Sequence, residues 1–477
     1  MFIKEVKIIN FKSFGADTTP ITFKTPNGES GSGLNIFVGE NNTGKSSAFE
    51  AIDFVRNGTK KSIEDIKNKS IPNEAIVEVT FVGNISKVIE SFSQENKISK
   101  FKEYIYKDSD DNEHIKISRS TSDVKSVKLW NNSSAEYKNE AGIDAPIKKL
   151  FETNFVWADT NPNDEASFGS TTICGYLLKE IVSNFTMTSE YQEFQGKFNK
   201  VFNDDNSKLK QDLKAVEDKV KKIFAEQFGN AEISFHFDEL KIESFFKNVK
   251  IELNDGVNTS MSEKGNGMQR AVALALLQVY AEELVRHPEG NEIEKPFYLF
   301  IDEPEICLHP KGQTKLLSAL LELSKNKQIF LTTHSPYFLA TPSLKDIGVF
   351  VFNKDGQNSN VESASSNPYF PWSPTWGEIN HKAYKLATVE LHNELYGYLQ
   401  EREQKHTEHE FNAWLVQKGI NSTYSWTKEI KGVVQSPYST TPPTFIRNSI
   451  HHPENKHNQK YTHDELEQSI QQMINLL

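Results

Sequence analysis

An eight-residue loop, Gly39–Ser46, constrains this chain more than any other segment of its sequence. It reads Gly-Glu-Asn-Asn-Thr-Gly-Lys-Ser, follows the apolar run Leu34–Val38, and is followed by helical apolar spacing in Ser46–Val55. A strand, a glycine-bounded loop and a helix in this order are the context that a phosphate-binding loop requires. The alternative, a chance glycine-rich loop, does not account for this order of elements. The sequence therefore predicts a nucleotide-binding α/β domain.

The chemistry of such a loop assigns roles to its residues. Backbone N–H groups wrap phosphate oxygens, Lys45 places a positive charge at the β- and γ-phosphates, and the Ser46 hydroxyl ligates Mg²⁺. The residues predicted to bind nucleotide here are Gly39, Asn41, Asn42, Thr43, Gly44, Lys45, Ser46 and Ser47. ATP and Mg²⁺ are the expected ligands.

Two further strands end in side chains suited to phosphate chemistry. The apolar run Phe297–Ile301 is typical of a buried parallel strand and ends in Asp302 and Glu303. We expect Asp302 to support Mg²⁺ and Glu303 to polarise the attacking water. A third apolar strand ends at His334, which could sense the γ-phosphate. Read singly, the acidic pair could simply end a strand and the histidine could cap a helix.

Composition limits the function classes. The 477 residues carry a formal net charge of -11, which argues against a protein that mainly coats nucleic acid, although local contact with DNA stays possible. Two cysteines without metal-ligand spacing fit a reducing cytoplasm. No segment reaches the roughly 20 apolar residues of a membrane span, and the amino-terminal residues lack the long apolar run of a signal peptide, so neither feature is expected. A cytoplasmic protein without membrane contact is expected.

The chain divides by pattern into four regions: a head lobe in residues 1–90, an insertion in residues 91–244, a second head lobe in residues 245–356, and a carboxy-terminal region in residues 357–477. The insertion begins with a hairpin tip at Asp108–Asn112 and is expected to be mainly helical to about residue 230, with an amphipathic helix at Asp205–Gln227. Gln357–Pro374 is expected to be a linker. Helices are predicted at His381–Gln404 and Asp464–Leu477.

The motifs together resemble the ABC-type ATPase heads of RecF, SMC and OLD-like proteins. The stretch Ile9–Phe14 looks like the opening strand and turn, and Ser262–Arg270 like the signature segment. Asp302–Glu305 with Leu308–Pro310 looks like Walker B and the D-loop, and Thr333–Pro336 like the switch histidine. The resemblance implies an α/β P-loop ATPase head of the SMC/RecF type, with a helical insertion and a mostly helical carboxy-terminal region. Slow, regulated ATP hydrolysis follows from it, with Lys45, Glu303 and His334 as catalytic residues.

The resemblance also implies partners. Two chains pair head to tail, and Ser262, Gly265 and Gly267 of each complete the nucleotide site of the other, giving a homodimer or larger homo-oligomer. The layout is most similar to PtuA-type ATPases of the Septu phage-defence system, which act with an HNH nuclease; ATPases of the PARIS system are second. The carboxy-terminal region lacks the acidic cluster of OLD-like nucleases. A nuclease on another chain is therefore expected.

Two other functions stay open. The segment Phe445–His452 contains Arg-Asn-x-x-x-His, similar to the active motif of HEPN ribonucleases, so Arg447 and His452 could belong to an ATP-regulated toxin. Alternatively they hold a turn or a docking surface, which the aromatic content of the region favours. Those aromatic residues are Tyr369, Phe370, Trp372, Trp376, Trp414 and Trp426. A DNA-repair ATPase of the RecF or SMC kind is the other alternative.

Overall fold

The computed structural model describes residues 1–59, 61–93, 95–157, 185–228, 231–232, 234–235, 251–265, 268–269, 271–272, 275–276, 279, 296, 298–306, 308–341 and 344–477. The chain forms two units, one made of Met1–Ala158 with Leu284–Leu477 and the other of Asp159–Glu283. Within the described residues, no helix is both long and apolar enough to cross a membrane.

The strands are β1 Phe2–Ile9, β2 Ile21–Thr22, β3 Leu34–Val38, β4 Ile76–Val82, β5 Tyr106–Lys107, β6 Glu113–Ser120, β7 Asp123–Asn131, β8 Glu136–Lys138, β9 Thr153–Val156, β10 Glu252–Asn254, β11 Asn258–Ser260, β12 Tyr298–Asp302, β13 Gln328–Thr332, β14 Gly348–Asp355, β15 Asn358–Ser363, β16 Tyr424–Trp426, β17 Glu429–Ile430, β18 Val433–Val434 and β19 Tyr438–Thr440. The helices are α1 Lys45–Asn57, α2 Ile63–Ile66, α3 Ile85–Phe92, α4 Glu95–Lys102, α5 Asp144–Leu150, α6 Ser189–Phe202, α7 Lys208–Phe228, α8 Pro310–Leu323, α9 Trp376–Tyr384, α10 Val389–Arg402, α11 Glu408–Gln417, α12 Pro442–His451 and α13 His463–Ile474.

The first unit contains a mainly parallel sheet that carries the predicted motifs. Its strand order is β15-β14-β3-β13-β12-β9, and only β15 runs antiparallel to its neighbour. All residues of β3, β12 and β13 are buried, as expected for strands covered on both faces. The rings of Phe300 and Phe330 stack inside it with centroids 4.6 Å apart. Because the three strands are parallel, the residues that follow them meet at one edge.

The first unit also contains an antiparallel sheet, and its strands β1, β4 and β6 contact α1. Its order is β2-β1-β4-β6-β7-β8, with β5 pairing to β6. Along β4, Val77, Val79 and Phe81 are buried at alternate positions, which is the period of a sheet with one face in the core. The predicted hairpin tip at Asp108–Asn112 joins β5 to β6 and is confirmed.

The prediction of a mainly helical region after this tip is wrong for its first part. Residues 113–156 contain β6, β7, β8 and β9, and β9 joins the parallel sheet beside β12. Buried Ile115, Ile117, Val127 and Leu129 do alternate, but an irregular register between β6 and β7 interrupts the pattern. The pairing of β9 depends on a strand far away in the sequence, so its own four residues do not reveal it.

The predicted linker Gln357–Pro374 is also partly wrong. Residues Asn358–Ser363 form β15, the edge strand paired with β14. Its Ser and Asn side chains suit an edge that faces solvent on one side. The following residues lead into α9, which begins after a capping box between Thr375 and Glu378.

The carboxy-terminal residues form a helical core with two small hairpins. Helices α10, α12 and α13 contact one another, and the hairpins pair β16 with β19 and β17 with β18. Thr462 caps helix α13, which lies within the region predicted to be helical at Asp464–Leu477. The predicted helix His381–Gln404 is broken into α9 and α10 at Lys385, which has φ 54°. Phe370, Trp414 and Trp426 lie buried in the core, whereas Trp372 is 53% exposed. Three of the six aromatic residues expected at an interface are thus buried in the fold instead.

In the second unit, α7 confirms the predicted amphipathic helix, and α6 precedes it. Strands β10 and β11 form a hairpin that leads to a 3-10 turn at Met261–Glu263.

Candidate functional site

The loop between β3 and α1 requires glycine at two positions. Gly39 has φ 148°, and a Cβ atom on it would lie 2.2 Å from the Phe352 carbonyl oxygen. Gly44 has φ 102°, and a Cβ atom there would lie 2.4 Å from Ser359 Oγ. Gly44 at the amino-terminal cap position of α1 has no side chain that could bond the first N–H groups of the helix, which are directed at the loop. Such a terminus favours an anion.

Lys45 is buried at the start of α1 with its ammonium turned back to the loop. Its Nζ donates to the carbonyl oxygens of Gly39, at 3.0 Å, and Glu40, at 2.9 Å. Burial lowers the pKa of Lys45, and the carboxylates of Glu303 and Asp302 oppose this change. The ammonium is therefore held by neutral oxygens that phosphate oxygens could replace.

Ser46 and Asp302 come together from opposite ends of the sequence. Ser46 Oγ lies 3.0 and 3.2 Å from the two carboxylate oxygens of Asp302, and Thr332 Oγ1 donates to Asp302 Oδ1 at 2.5 Å. A hydroxyl and a carboxylate are hard oxygen ligands, and Mg²⁺ commonly takes one or two from protein and the rest from phosphates and water. The two predicted metal ligands therefore fit this ion.

Glu303 occupies a constrained position after β12. Its φ is 47°, which is uncommon for a residue with a side chain, and its backbone N–H donates to the Thr332 carbonyl and hydroxyl oxygens at 3.2 and 3.0 Å. The Oε1 atom of Glu303 lies 3.4 Å from His334 Nε2. The backbone turn thus directs the carboxylate toward His334, two residues past the end of β13.

His334 is favoured in its neutral form. Burial lowers its pKa, Lys45 lowers it further, and Glu303 and Asp302 oppose both effects. Its Nε2 atom is buried, and the 3.4 Å contact with Glu303 Oε1 is too long for a strong hydrogen bond. A buried polar nitrogen without such a bond suits a ligand atom that enters from the site.

Glu305 holds the loop that carries the histidine. Its Oε1 accepts from Thr333 Oγ1 at 2.9 Å and from the His334 backbone N–H at 2.5 Å. Burial raises the pKa of Glu305. Glu305 belongs to the Asp302–Glu305 motif, but its contact with Thr333, 28 positions away, depends on the tertiary fold and cannot be read from the motif.

The turn after β1 packs against the phosphate loop. Asn10 and Lys12 have φ values of 53° and 48°. The backbone N–H and hydroxyl of Ser359 donate to the Ser13 carbonyl and hydroxyl oxygens, each at 2.7 Å, beside Gly44. The predicted opening turn is therefore packed on the loop.

Residues 1–339 of the chain match the protein-family model described as AAA ATPase domain. The chain belongs to this family. It is an ATPase, and the predicted α/β P-loop ATPase head is confirmed. The family implies a nucleotide as substrate.

This AAA ATPase is also similar to a curated protein and to solved structures. It is 26% identical over 325 residues to Old nuclease of Escherichia phage P2. The matched region covers 64% of this chain and 53% of that protein. The chain thus spans about half the length of this relative. An SMC head bound to the C-winged helix domain of ScpA is 16% identical, with 77% and 99% coverage and a TM-score of 0.45. The SMC head domain from Thermotoga maritima is 15% identical, with 76% and 99% coverage and a TM-score of 0.37.

The remaining loop residues line the same turn of the ATPase. Asn41 is exposed, Asn42 has φ 64°, Thr43 Oγ1 donates to the Glu40 carbonyl oxygen at 2.8 Å, and Ser47 is half-buried in the first turn of α1. These positions leave the loop short and tightly turned, as a phosphate-binding loop needs.

The predicted signature residues belong to the second unit. Ser262 is exposed in the 3-10 turn, with its hydroxyl 3.0 Å from Ser260 Oγ, and Gly265 is exposed after it. Gly267 lies outside the described residues. Their role toward a second chain stays a prediction.

Arg447 and His452 of the ATPase lie near the carboxyl end of α12. Arg447 donates to Asn448 Oδ1 at 3.0 Å and lies 5.9 Å from the Tyr396 ring centre, while His452 is exposed with Nδ1 3.3 Å from Glu454 Oε1. Both side chains therefore have protein contacts of their own.

Proposed function

We propose that this ATPase binds ATP with Mg²⁺ between the Gly39–Ser47 loop, Asp302 and the pair Glu303 and His334. The observation that carries the proposal is the contact of Ser46 with Asp302 beside buried Lys45. Lys45 leaves its two carbonyl partners to neutralise the β- and γ-phosphates. Mg²⁺, when bound, supplies further neutralisation of the phosphate oxygens.

The proposed roles of Glu303 and His334 follow from their position beside each other at the site, with Glu303 Oε1 3.4 Å from His334 Nε2. Glu303 orients the attacking water and takes its proton, because a carboxylate at the edge of the site is a proton acceptor. Neutral His334 contacts the γ-phosphate through Nε2 and so distinguishes ATP from ADP. Hydrolysis is slow because the site is completed by a second chain through Ser262, Gly265 and Gly267.

The test of the shared site is assembly. Glu303→Gln keeps the shape of the side chain and removes its proton acceptor, so ATP with Mg²⁺ should enrich a dimer or larger oligomer in sedimentation. Glu322→Gln on the exposed face of α8 is the matched control and should behave as wild type. Adding Gly267→Trp to the Glu303→Gln protein should prevent this enrichment of the oligomer. A Glu303→Gln protein that stays monomeric with ATP contradicts the shared site.

We infer that the assembled ATPase controls a partner nuclease in bacterial anti-phage defence, of the HNH type as in Septu. The similarity to Old nuclease supports a link to nuclease action. Cells carrying the ATPase with a neighbouring HNH gene should resist phage, and Lys45→Ala should abolish resistance. Unchanged plaque numbers with the wild-type pair contradict this role.

The ribonuclease alternative has one observation in its favour. His451 and His452 are both exposed at the carboxyl end of α12, close to Arg447, whose charge lowers the pKa of His451 after the larger effect of burial. Against it, Arg447 and His452 pair with Asn448 and Glu454. We therefore propose docking and assembly as the role of this region.

A further inference from the structure

A tyrosine from the carboxy-terminal residues reaches the proposed nucleotide site of its own chain. The Tyr384 hydroxyl, at the end of α9, donates to the Thr333 carbonyl oxygen at 3.0 Å. Burial raises the pKa of Tyr384, and a hydrogen bond from the Gly39 backbone opposes this effect. The hydroxyl therefore contacts the residue before His334, and it lies near the backbone of Gly39, the first glycine of the phosphate loop.

The tyrosine ring also borders the histidine. The ring centroids of Tyr384 and His334 are 6.2 Å apart with the planes tilted by 41°. Glu305 holds the backbone N–H of His334, while Tyr384 holds the carbonyl oxygen of the preceding residue. The loop is thus fixed by a residue on each side, which limits the positions that the imidazole can take.

Helix α9 is itself fastened at its other end. The Trp376 indole N–H donates to the Pro336 carbonyl oxygen at 3.1 Å, just past the histidine loop. The Thr375 hydroxyl donates to Glu394 Oε2 at 2.7 Å, which joins the start of α9 to α10. Helix α10 contributes Leu391, Leu395 and Leu399 to the carboxy-terminal core. A continuous set of contacts therefore runs from this core to the loop after β13.

We propose that Tyr384 is a positioning residue for the ATPase reaction, which sets the separation of the phosphate loop and His334 and makes the γ-phosphate response depend on the carboxy-terminal region. This proposal rests on the proposed nucleotide site. Its physical basis is that the Tyr384 hydroxyl anchors the carbonyl oxygen of Thr333, and the position of this backbone segment decides whether the imidazole meets the γ-phosphate. Loss of the hydroxyl leaves the ring packing and releases that constraint.

The test compares Tyr384→Phe with Tyr369→Phe. Tyr369 is the matched control because its hydroxyl also has a partner, His381 Nδ1 at 3.1 Å, in the same carboxy-terminal region. Tyr384→Phe should lower kcat about fivefold with KM for ATP within about twofold, as expected for a lost neutral hydrogen bond that positions a reacting group. Tyr369→Phe should leave both constants unchanged.

A double-mutant cycle separates positioning from simple loss of stability. By calorimetry, the ratio of affinities for a non-hydrolysable ATP analogue and ADP should fall about fivefold in Tyr384→Phe, and adding this change to His334→Ala should cause no further fall. A wild-type ratio in Tyr384→Phe, or an equal fall in both backgrounds, overturns the proposal. A Lys45→Ala protein with wild-type ATP affinity would instead show that the nucleotide site itself is misplaced.

Discussion

Replacing Lys45 with alanine is the most direct test of the phosphate-binding loop. The ammonium makes two hydrogen bonds, to Gly39 and Glu40, that ATP would replace with charged phosphate oxygens. A hydrogen bond to a charged group contributes about 1.5 to 3 kcal/mol, so two of them contribute at least roughly 3 kcal/mol. This corresponds to a dissociation constant for ATP raised about 100-fold or more.

The fold should survive this substitution. Alanine has the highest helix propensity, and Lys45 is the first residue of α1. The variant also loses an ammonium whose pKa is lowered by burial, so a desolvated charge is removed with the side chain. We expect the melting temperature to change by less than about 2 °C, equivalent to roughly 1 kcal/mol or less in a protein of this size.

The assay is calorimetric titration of the folded proteins with ATP and Mg²⁺. Lys315→Ala is the control, because Lys315 is an exposed lysine on α8, and it should bind ATP as wild type does. If Lys45→Ala bound ATP within about threefold of the wild-type affinity while melting normally, the reasoning from the buried ammonium would be refuted.

Two predictions concern the carboxy-terminal region. Arg447→Ala and His452→Ala, each checked by thermal melting, should weaken co-purification of a partner nuclease without affecting cellular RNA; RNA cuts made by wild type and lost in both folded variants would establish the ribonuclease instead. Burial lowers the pKa of His392 to about 3, so below pH 6.5 the unfolded chain gains a proton that the folded chain excludes. Stability is therefore lost as pH falls from 6.5 toward 3, by about 1.4 kcal/mol per unit. His392→Gln should reduce the fall in melting temperature between pH 7.5 and 5.5, and the control His406→Gln should not. An equal fall in wild type and both variants would disprove the assignment of this pH dependence to His392.

The amino-acid sequence by itself determined the motifs and the elements that carry them. Each motif is contiguous: an apolar strand followed at once by the Gly39–Ser46 loop, by Asp302 and Glu303, or by His334. The local pattern is sufficient to predict these motifs, because a fully buried strand and the residues after it are recognised from consecutive residues of the sequence. Parallel pairing then explains why residues so far apart in the chain meet at one sheet edge.

Only the tertiary structure decided which distant residues touch. The contact of Ser46 with Asp302 spans 256 positions, and that of Tyr384 with Thr333 spans 51. Strand β9 becomes a strand through its pairing with β12, and β15 through its pairing with β14. Short strands and single hydroxyl contacts carry no periodic pattern of their own, since the free energy that selects them comes from partners remote in sequence. The route from the carboxy-terminal core to the histidine loop is therefore visible only in the folded chain.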